Sequence, residues 1–347
     1  MSIYRVSFML RYLLILLLIL NCGSARGQSI AKYAGEFLAI GVGARPQGLG
    51  SSFVAIADGT IGSYWNPAGI GQLVYPQVSI MHAEHFAGEL NYDFAGITVP
   101  NRSGTVVGMS FIRLGIDGIP DTRSALIDSV QANGRIDTGE RLNINKITYF
   151  SNTDWIVYFT FAKRKSESLF IGANIKIIER SLGSYSAWGG GFDIGMLFKI
   201  NERFSIGANI MDATTTVVVW NTGKKELISP LLKAGGAYKL SYNPYHLTIV
   251  PVIDADIRIE KREFTEQYHI GRASINTHYG LELQYLDRLF FRTGYDDIRQ
   301  VSIGSGIHYK NVYIDYAYTG VEQMEELGST HKISLSIDIS KYSYGNN

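Results

Sequence analysis

Lys332-Ile333-Ser334-Leu335-Ser336-Ile337-Asp338-Ile339-Ser340 puts an aliphatic side chain on every second position. Successive side chains of an extended chain point to opposite faces. The stretch is therefore a strand with one oily face, Ile333, Leu335, Ile337 and Ile339, and one wetter face between them. The same alternation appears further back. Val312, Ile314, Tyr316 and Tyr318 oppose Tyr313, Asp315, Ala317 and Thr319, and Leu169, Ile171, Ala173, Ile175 and Ile177 oppose Phe170, Gly172, Asn174 and Lys176. From about residue 78 onward such segments recur about fourteen times, separated by Gly, Ser, Asn and Asp, as a transmembrane barrel requires. Strands are predicted over 77–84, 90–99, 105–114, 154–163, 169–179, 188–198, 204–213, 231–240, 246–259, 277–285, 289–295, 300–309, 312–319 and 332–340.

The connections sort by length. Gaps 100–104, 164–168, 199–203, 241–245, 286–288 and 310–311 are tight. The alternate gaps hold every long connection, 115–153, 180–187, 214–230, 260–276 and 320–331; two more on that side, 85–89 and 296–299, are short. Long loops on one rim and tight turns on the other, with both chain ends on the turn side, is the outer-membrane pattern. Lipid satisfies no backbone group, so the sheet must close on itself. The fold class expected is all-β, an antiparallel transmembrane β-barrel of about fourteen strands. Its oily faces meet hydrocarbon, and Trp155, Trp220, Tyr309, Tyr316 and Tyr318 suit the interfacial belts.

Residues 1–27 read as a secretory leader. Arg5 and Arg11 precede the apolar run Leu13–Leu20, and Ala25 and Gly27 stand at −3 and −1 of a cut before Gln28. A rival reading, a lipoprotein acylated at Cys22, puts Asn21 where a small residue is wanted. Cys22 is the only cysteine, so the mature chain has neither disulfide nor thiolate chemistry. Of 32 Lys plus Arg, three (Arg5, Arg11, Arg26) lie in the leader, and Asp plus Glu number 31, so the mature chain is net −2. That is not the footprint of a nucleic-acid binder.

Residues 28–73 differ from the rest, being rich in Gly, Ala and Ser, with a short helix expected over 48–57 and a turn at Asn66-Pro67. They are expected to form a hatch inside the barrel of residues 74–347. Gly50-Ser51-Ser52-Phe53-Val54-Ala55-Ile56-Ala57-Asp58, then Tyr64-Trp65-Asn66-Pro67-Ala68-Gly69-Ile70, and the ending Leu327-Gly328-Ser329-Thr330-His331-Lys332-Ile333-Ser334-Leu335 resemble the long-chain fatty-acid transporter (FadL) superfamily. Leu114-Gly115-Ile116-Asp117-Gly118-Ile119-Pro120-Asp121-Thr122 resembles its PorV/PorQ branch. The resemblance implies a fourteen-stranded barrel with an N-terminal hatch, associated with type IX protein secretion and receiving secreted cargo at the outer surface. The tail after Ser340 departs from the aromatic ending of many outer-membrane barrels.

Trp65, Asn66, Pro67, Ala68 and Gly69 are the candidate hatch motif, read either as a turn from plug to wall or as the anchor of a moving gate. Phe37, Leu38, Phe53, Ile56 and Trp65 would line a ligand pocket or form the core of the plug. Loop 129–140 resembles a degenerate calcium loop, with Asn133, Asp137 and Glu140 as donors and Gly134 at the turn, but Ser129 and Gln131 stand where acids are wanted. A solvated loop with an Asn-Gly turn is the preferred reading, and no cofactor is expected. Asp254, Asp256, Glu282, Asp315 and Asp338 fall on lumen faces and are spread over different strands, a wet lining rather than a catalytic pair. No enzyme motif is present. The expectation is an outer-membrane protein in contact with lipid, acting as a secretion accessory that binds exported cargo. The alternative is a FadL-like transporter of hydrophobic small molecules; a purely structural surface protein is the third reading.

Overall fold

The computed structural model describes residues 35–85, 88–127, 135, 138, 140–260, 266–320 and 329–339. The leader, the tail and the centre of the longest loop lie outside them. Fourteen antiparallel strands form one closed barrel. They are β1 Gln77–His85, β2 Leu90–Pro100, β3 Thr105–Asp121, β4 Thr148–Arg164, β5 Leu169–Leu182, β6 Tyr185–Lys199, β7 Phe204–Met211, β8 Leu231–Tyr238, β9 Leu247–Arg258, β10 Ala273–Tyr285, β11 Leu289–Tyr295, β12 Val301–Tyr309, β13 Val312–Gly320 and β14 Thr330–Asp338. Each pairs with its neighbours in sequence, and β14 closes on β1 from Gln77↔Asp338 to Glu84↔His331. No described helix is long and apolar enough to cross a membrane.

Alternation sets the faces as expected. On β12, Ile303 (60% exposed) and Ile307 (56%) point outward while Ser302 (0%) points in. Outward Trp155, Trp188, Tyr279, Tyr295, Tyr316 and Tyr318 lie toward the loop rim. Tyr238, Tyr242, Tyr245, Tyr285 and Tyr309 lie toward the turn rim. The two sets bracket the oily band as interfacial belts do. Trp220 is a correction: in the hairpin Thr216–Trp220/Lys225–Ile228 it keeps the parity of buried Thr216 and Val218, and so turns inward against the apolar core.

Several connections expected to be irregular contain sheet, 180–187 and 260–276 among them, and two stand out. One is 214–230, which holds that hairpin. In the other, β3 and β4 run on past the predicted boundaries to the pair Asp121↔Thr148, with a register shift between Ile116 and Ile119. Backbone pairing carries the strands through Gly115, Gly118 and Pro120, residues that by type signal a loop, because the shift absorbs the break in alternation.

The segment from Gly35 to Leu73 lies inside this wall. The predicted helix over 48–57 is instead a five-residue helix, Ala44–Gly48, followed by turns. A second short helix, Gly62–Trp65, leads through Asn66 into a 3₁₀ turn, Pro67–Gln72. Small residues on the wall make the room. A Cβ on Gly172 would overlap Pro67, on Gly195 Asn66, on Gly207 the Val54 carbonyl, and on Gly294 the Gly50 nitrogen; at Gly280 it would come within 2.8 Å of the Leu49 carbonyl. Gly172 and Gly195 face each other in register, as do Gly280 and Gly294. The girdle of inward glycines thus seats the segment backbone against wall.

Gly294→Ala should therefore destabilise the barrel by roughly 1–3 kcal/mol, as overpacking does. Gly190→Ala, where nothing but the Lys176 carbonyl is near, should be neutral within about 0.5 kcal/mol. Heat-modified mobility in gels against temperature measures both.

Candidate functional site

The lumen has two unlike sectors. Along β1–β4 and the upper part of β5, many inward side chains are apolar, Met81, Ala83, Tyr92, Phe94, Ile112, Leu114, Ile156, Tyr158 and Ile178, with Ser79, Thr98, Ser110, Asp154 and Thr160 buried among the same strands. The apolar ones form one cluster with Phe37, Leu38, Val42, Phe53, Tyr64 and Trp65 of the N-terminal segment. Trp65 meets Phe53 edge-on at 6.3 Å and Tyr64 at 5.0 Å. Of the five predicted pocket residues, Phe37, Leu38, Phe53 and Trp65 are buried in this cluster, and Ile56 packs against it partly buried. In this arrangement they are packed core.

Across the lumen, β8–β13 carry charge. Arg45 of the short helix donates to both oxygens of Glu282 (2.8 and 3.0 Å) and to both of Asp58 (2.9 and 2.8 Å). Glu282 also accepts from Arg292 at 2.6 Å, and Arg292 donates to Asp315 at 2.7 Å. Asp254 takes the backbone N–H groups of Phe53 (2.6 Å) and Val54 (2.8 Å). Lys233 binds Asp256 at 2.6 Å, and His278 contacts the Gly50 carbonyl at 3.0 Å. Between the sectors, Lys176 lies between Asp193 (2.9 Å) and Asp212 (2.6 Å), and Asn174 donates to the Ser63 carbonyl at 2.7 Å. The expected lumen acids Asp254, Asp256, Glu282, Asp315 and Asp338 are all buried and inward. They bind neighbouring side chains or the backbone of the inner segment, which is a structural use of their charge.

The hatch motif is a junction. Asn66 donates through Nδ2 to the carbonyls of Val54 and Met196, each at 3.0 Å, and accepts from the Ala68 N–H at 3.1 Å. One side chain thus joins two stretches of the inner segment to the wall. Pro67 starts the 3₁₀ turn, where its missing N–H costs nothing. Ala68 packs with Phe170 and Leu197, and Gly69 lies where a Cβ would overlap Ala57. Trp65 donates from Nε1 to the Val42 carbonyl at 2.8 Å.

Of the calcium-loop residues, Asn133 and Asp137 lie outside the described residues, as do Ser129, Gln131 and Gly134; Glu140 is described. Among the described residues no group of His, Cys, Asp and Glu could hold a metal.

Sequence reading missed the ion pairs, since Arg45 and Glu282 lie 237 positions apart. It also missed Lys332, wholly buried on the lumen face of β14 and bonded to the Gly41 carbonyl (2.7 Å) and Gln47 Oε1 (3.2 Å) with no carboxylate among the described residues. Its ammonium lies 5.8 Å from the ring centre of Tyr92. The one signal was its lumen parity beside Ser334 and Asp338.

Neither a protein-family model nor a curated protein matches the sequence. Solved structures do match. The toluene transporter TodX of Pseudomonas putida aligns with 86% of this chain and 97% of its own at 14% identity, TM-score 0.54. The toluene transporter TbuX of Ralstonia pickettii aligns over 86% and 98% at 11% identity, TM-score 0.52. The monoaromatic hydrocarbon channel CymD aligns over 89% and 97% at 13% identity, TM-score 0.52. The likeness is one of fold. The chain is a closed antiparallel β-barrel of the architecture that these channels have.

Glu282→Gln should leave the Arg45–Arg292 pair short of charge inside the barrel and cost about 3 kcal/mol, the usual penalty for breaking a buried ion pair. Thermal unfolding in detergent reads it. On the loop rim, burial pushes the Asp296 carboxyl up to about 6, although it accepts N–H groups from Ile298 and Gln300. A carboxyl raised in the folded state leaves stability intact at low pH and loses it as pH climbs through about 4 to 6. The melting temperature of Asp296→Asn should therefore fall less over that window than that of the parent; equal slopes would contradict the assignment.

Proposed function

We propose that the protein passes small hydrophobic molecules across the outer membrane, by way of the apolar sector of the lumen and a shift of the segment that fills it. The apolar sector carries this reading. A lumen that only held water would need polar lining throughout, yet one side of this one is built of Ile112, Ile156, Ile178 and aromatic rings. Phe37, Leu38, Phe53, Ile56 and Trp65 then serve as the removable half of an oily path. Asn66-Pro67-Ala68-Gly69 serves as its fixed end, because Asn66 is tied to the wall. The solved structures of like fold include a toluene transporter and a monoaromatic hydrocarbon channel, which supports the same class of cargo here. The glycine girdle closes the lumen at its own level, so passage needs the segment to move or to hand its cargo sideways.

A second reading, attachment of secreted cargo in type IX secretion as the PorV/PorQ resemblance implies, has one observation in its favour. β3 and β4 extend to Asp121 and Thr148, and the loop side beyond them carries exposed Ile127, Ile144, Tyr149 and Tyr185. Exposed apolar side chains outside the lipid band suit a docking surface.

Vesicles reconstituted with the full chain and fed radiolabelled toluene separate the two. Transport predicts entry above that of protein-free vesicles, reduced about tenfold in Ile156→Asp with assembly intact. Entry equal to protein-free vesicles, together with capture of exported proteins sharing a C-terminal domain, would favour attachment.

A further inference from the structure

The turn rim of the barrel is basic. Its tight connections and strand ends carry Arg102, Arg164, Lys165, Arg203, Lys239 and Lys310, against the acids Glu167, Glu202 and Asp287. At one place this charge meets a groove. Between the start of β7 and the link from β8 to β9 is a cavity of about 370 Å³. Arg203 and Lys239 stand at its mouth, brought together by the hydrogen bond from the Lys239 N–H to the Arg203 carbonyl at 2.6 Å. Among the described residues neither side chain has a carboxylate partner, and Glu202 in the same turn pairs with neither. The rest of the lining is Leu240, Leu247 and Ile249, with Tyr242 and Ser241.

Registration explains the form. Leu240 pairs with Ile249 and Tyr242 with Leu247, so all four side chains share the outward face. Ile249 continues upward on that face into Pro251 and Ile253, both exposed within the oily band. Tyr242 stacks on Tyr245 at 5.4 Å and 15°, in the aromatic belt of the turn rim. Two cations without acidic partners therefore sit at the depth where head groups lie, above an oily track that runs into the hydrocarbon.

We propose that this groove binds an anionic phospholipid of the leaflet facing the turns. Its phosphate lies between Arg203 and Lys239, and the first part of one acyl chain runs along Leu240, Leu247 and Ile249. A soluble anion would use the cations but not the track. A zwitterionic lipid would bring its own ammonium to a site that already has two positive charges. Interfacial cations each favour an anionic head group by a modest amount, and a pair held together adds geometric fit.

The experiment uses the full chain in neutral detergent with mixed phosphatidylglycerol and phosphatidylcholine, read by native mass spectrometry. Retention of one phosphatidylglycerol in preference to phosphatidylcholine is expected. Arg203→Gln with Lys239→Gln should lose roughly 30-fold in that preference, while Arg102→Gln with Lys310→Gln, elsewhere on the rim, should keep most of it. Leu240→Ser should weaken retention without altering the charge. Heat-modified mobility checks that each variant is a folded barrel. Equal retention by the double variant, or displacement of the lipid by inorganic phosphate, would overturn the proposal; in the second case the site is for a soluble anion.

Discussion

Closure of the sheet is the constraint from which the rest follows. Every backbone N–H and C=O in the hydrocarbon must pair within the protein, and an open edge there has no partner. The pairing of β14 with β1 removes that edge. Once the wall is a cylinder, parity decides everything on it. Each odd or even position faces either lipid or lumen, and a change of parity would put Asp315 or Lys332 into acyl chains. The oily outer face and the charged inner face are one fact seen from two sides.

The inner face is shaped by what fills it. Glycines on facing strands admit the backbone of the N-terminal segment, while Glu282, Asp254 and Lys332 of the wall bind it through charge and hydrogen bonds. On the β1–β5 side apolar packing is joined by polar ties: Thr60 to Gln77 and Thr98, Ser63 to Ser110, and Asn174 to the Ser63 carbonyl. On the β8–β13 side, moving Arg45 separates buried charges. The ion pairs of the segment thus lie on one side of the lumen and most of its apolar packing on the other.

Much of this is legible in the sequence, for physical reasons. Period-two alternation survives in every wall strand because two different solvents select on the two faces. Loop sorting survives because turns on one rim are kept short. Strand ends are less legible: Gly118 and Pro120 signal a break locally, yet β3 passes through them because β4 supplies partners. The helix at Ala44–Gly48 is hard to place because it is only five residues long and contains Pro46 and Gly48, which by type signal a break. Residue type alone assigns Trp220 to the belt, whereas the parity of its hairpin turns it inward. The ion pairs join residues far apart in the chain and leave no local trace. The glycine girdle does leave one: Gly172, Gly195, Gly207, Gly280 and Gly294 all fall on lumen parity, a regularity that the spacing of the strands carries on its own.

The four tryptophans test the central claim, that the oily parity faces lipid around a closed cylinder. Single-tryptophan versions are placed in vesicles containing lipids brominated along the acyl chain, and fluorescence quenching is measured. Trp155 and Trp188, both outward and exposed, should be strongly quenched, while Trp65 and Trp220, on the inner side, should be nearly unaffected. Quenching of Trp65 and Trp220 with protection of Trp155 and Trp188 would mean that the faces are reversed, and the account would fail.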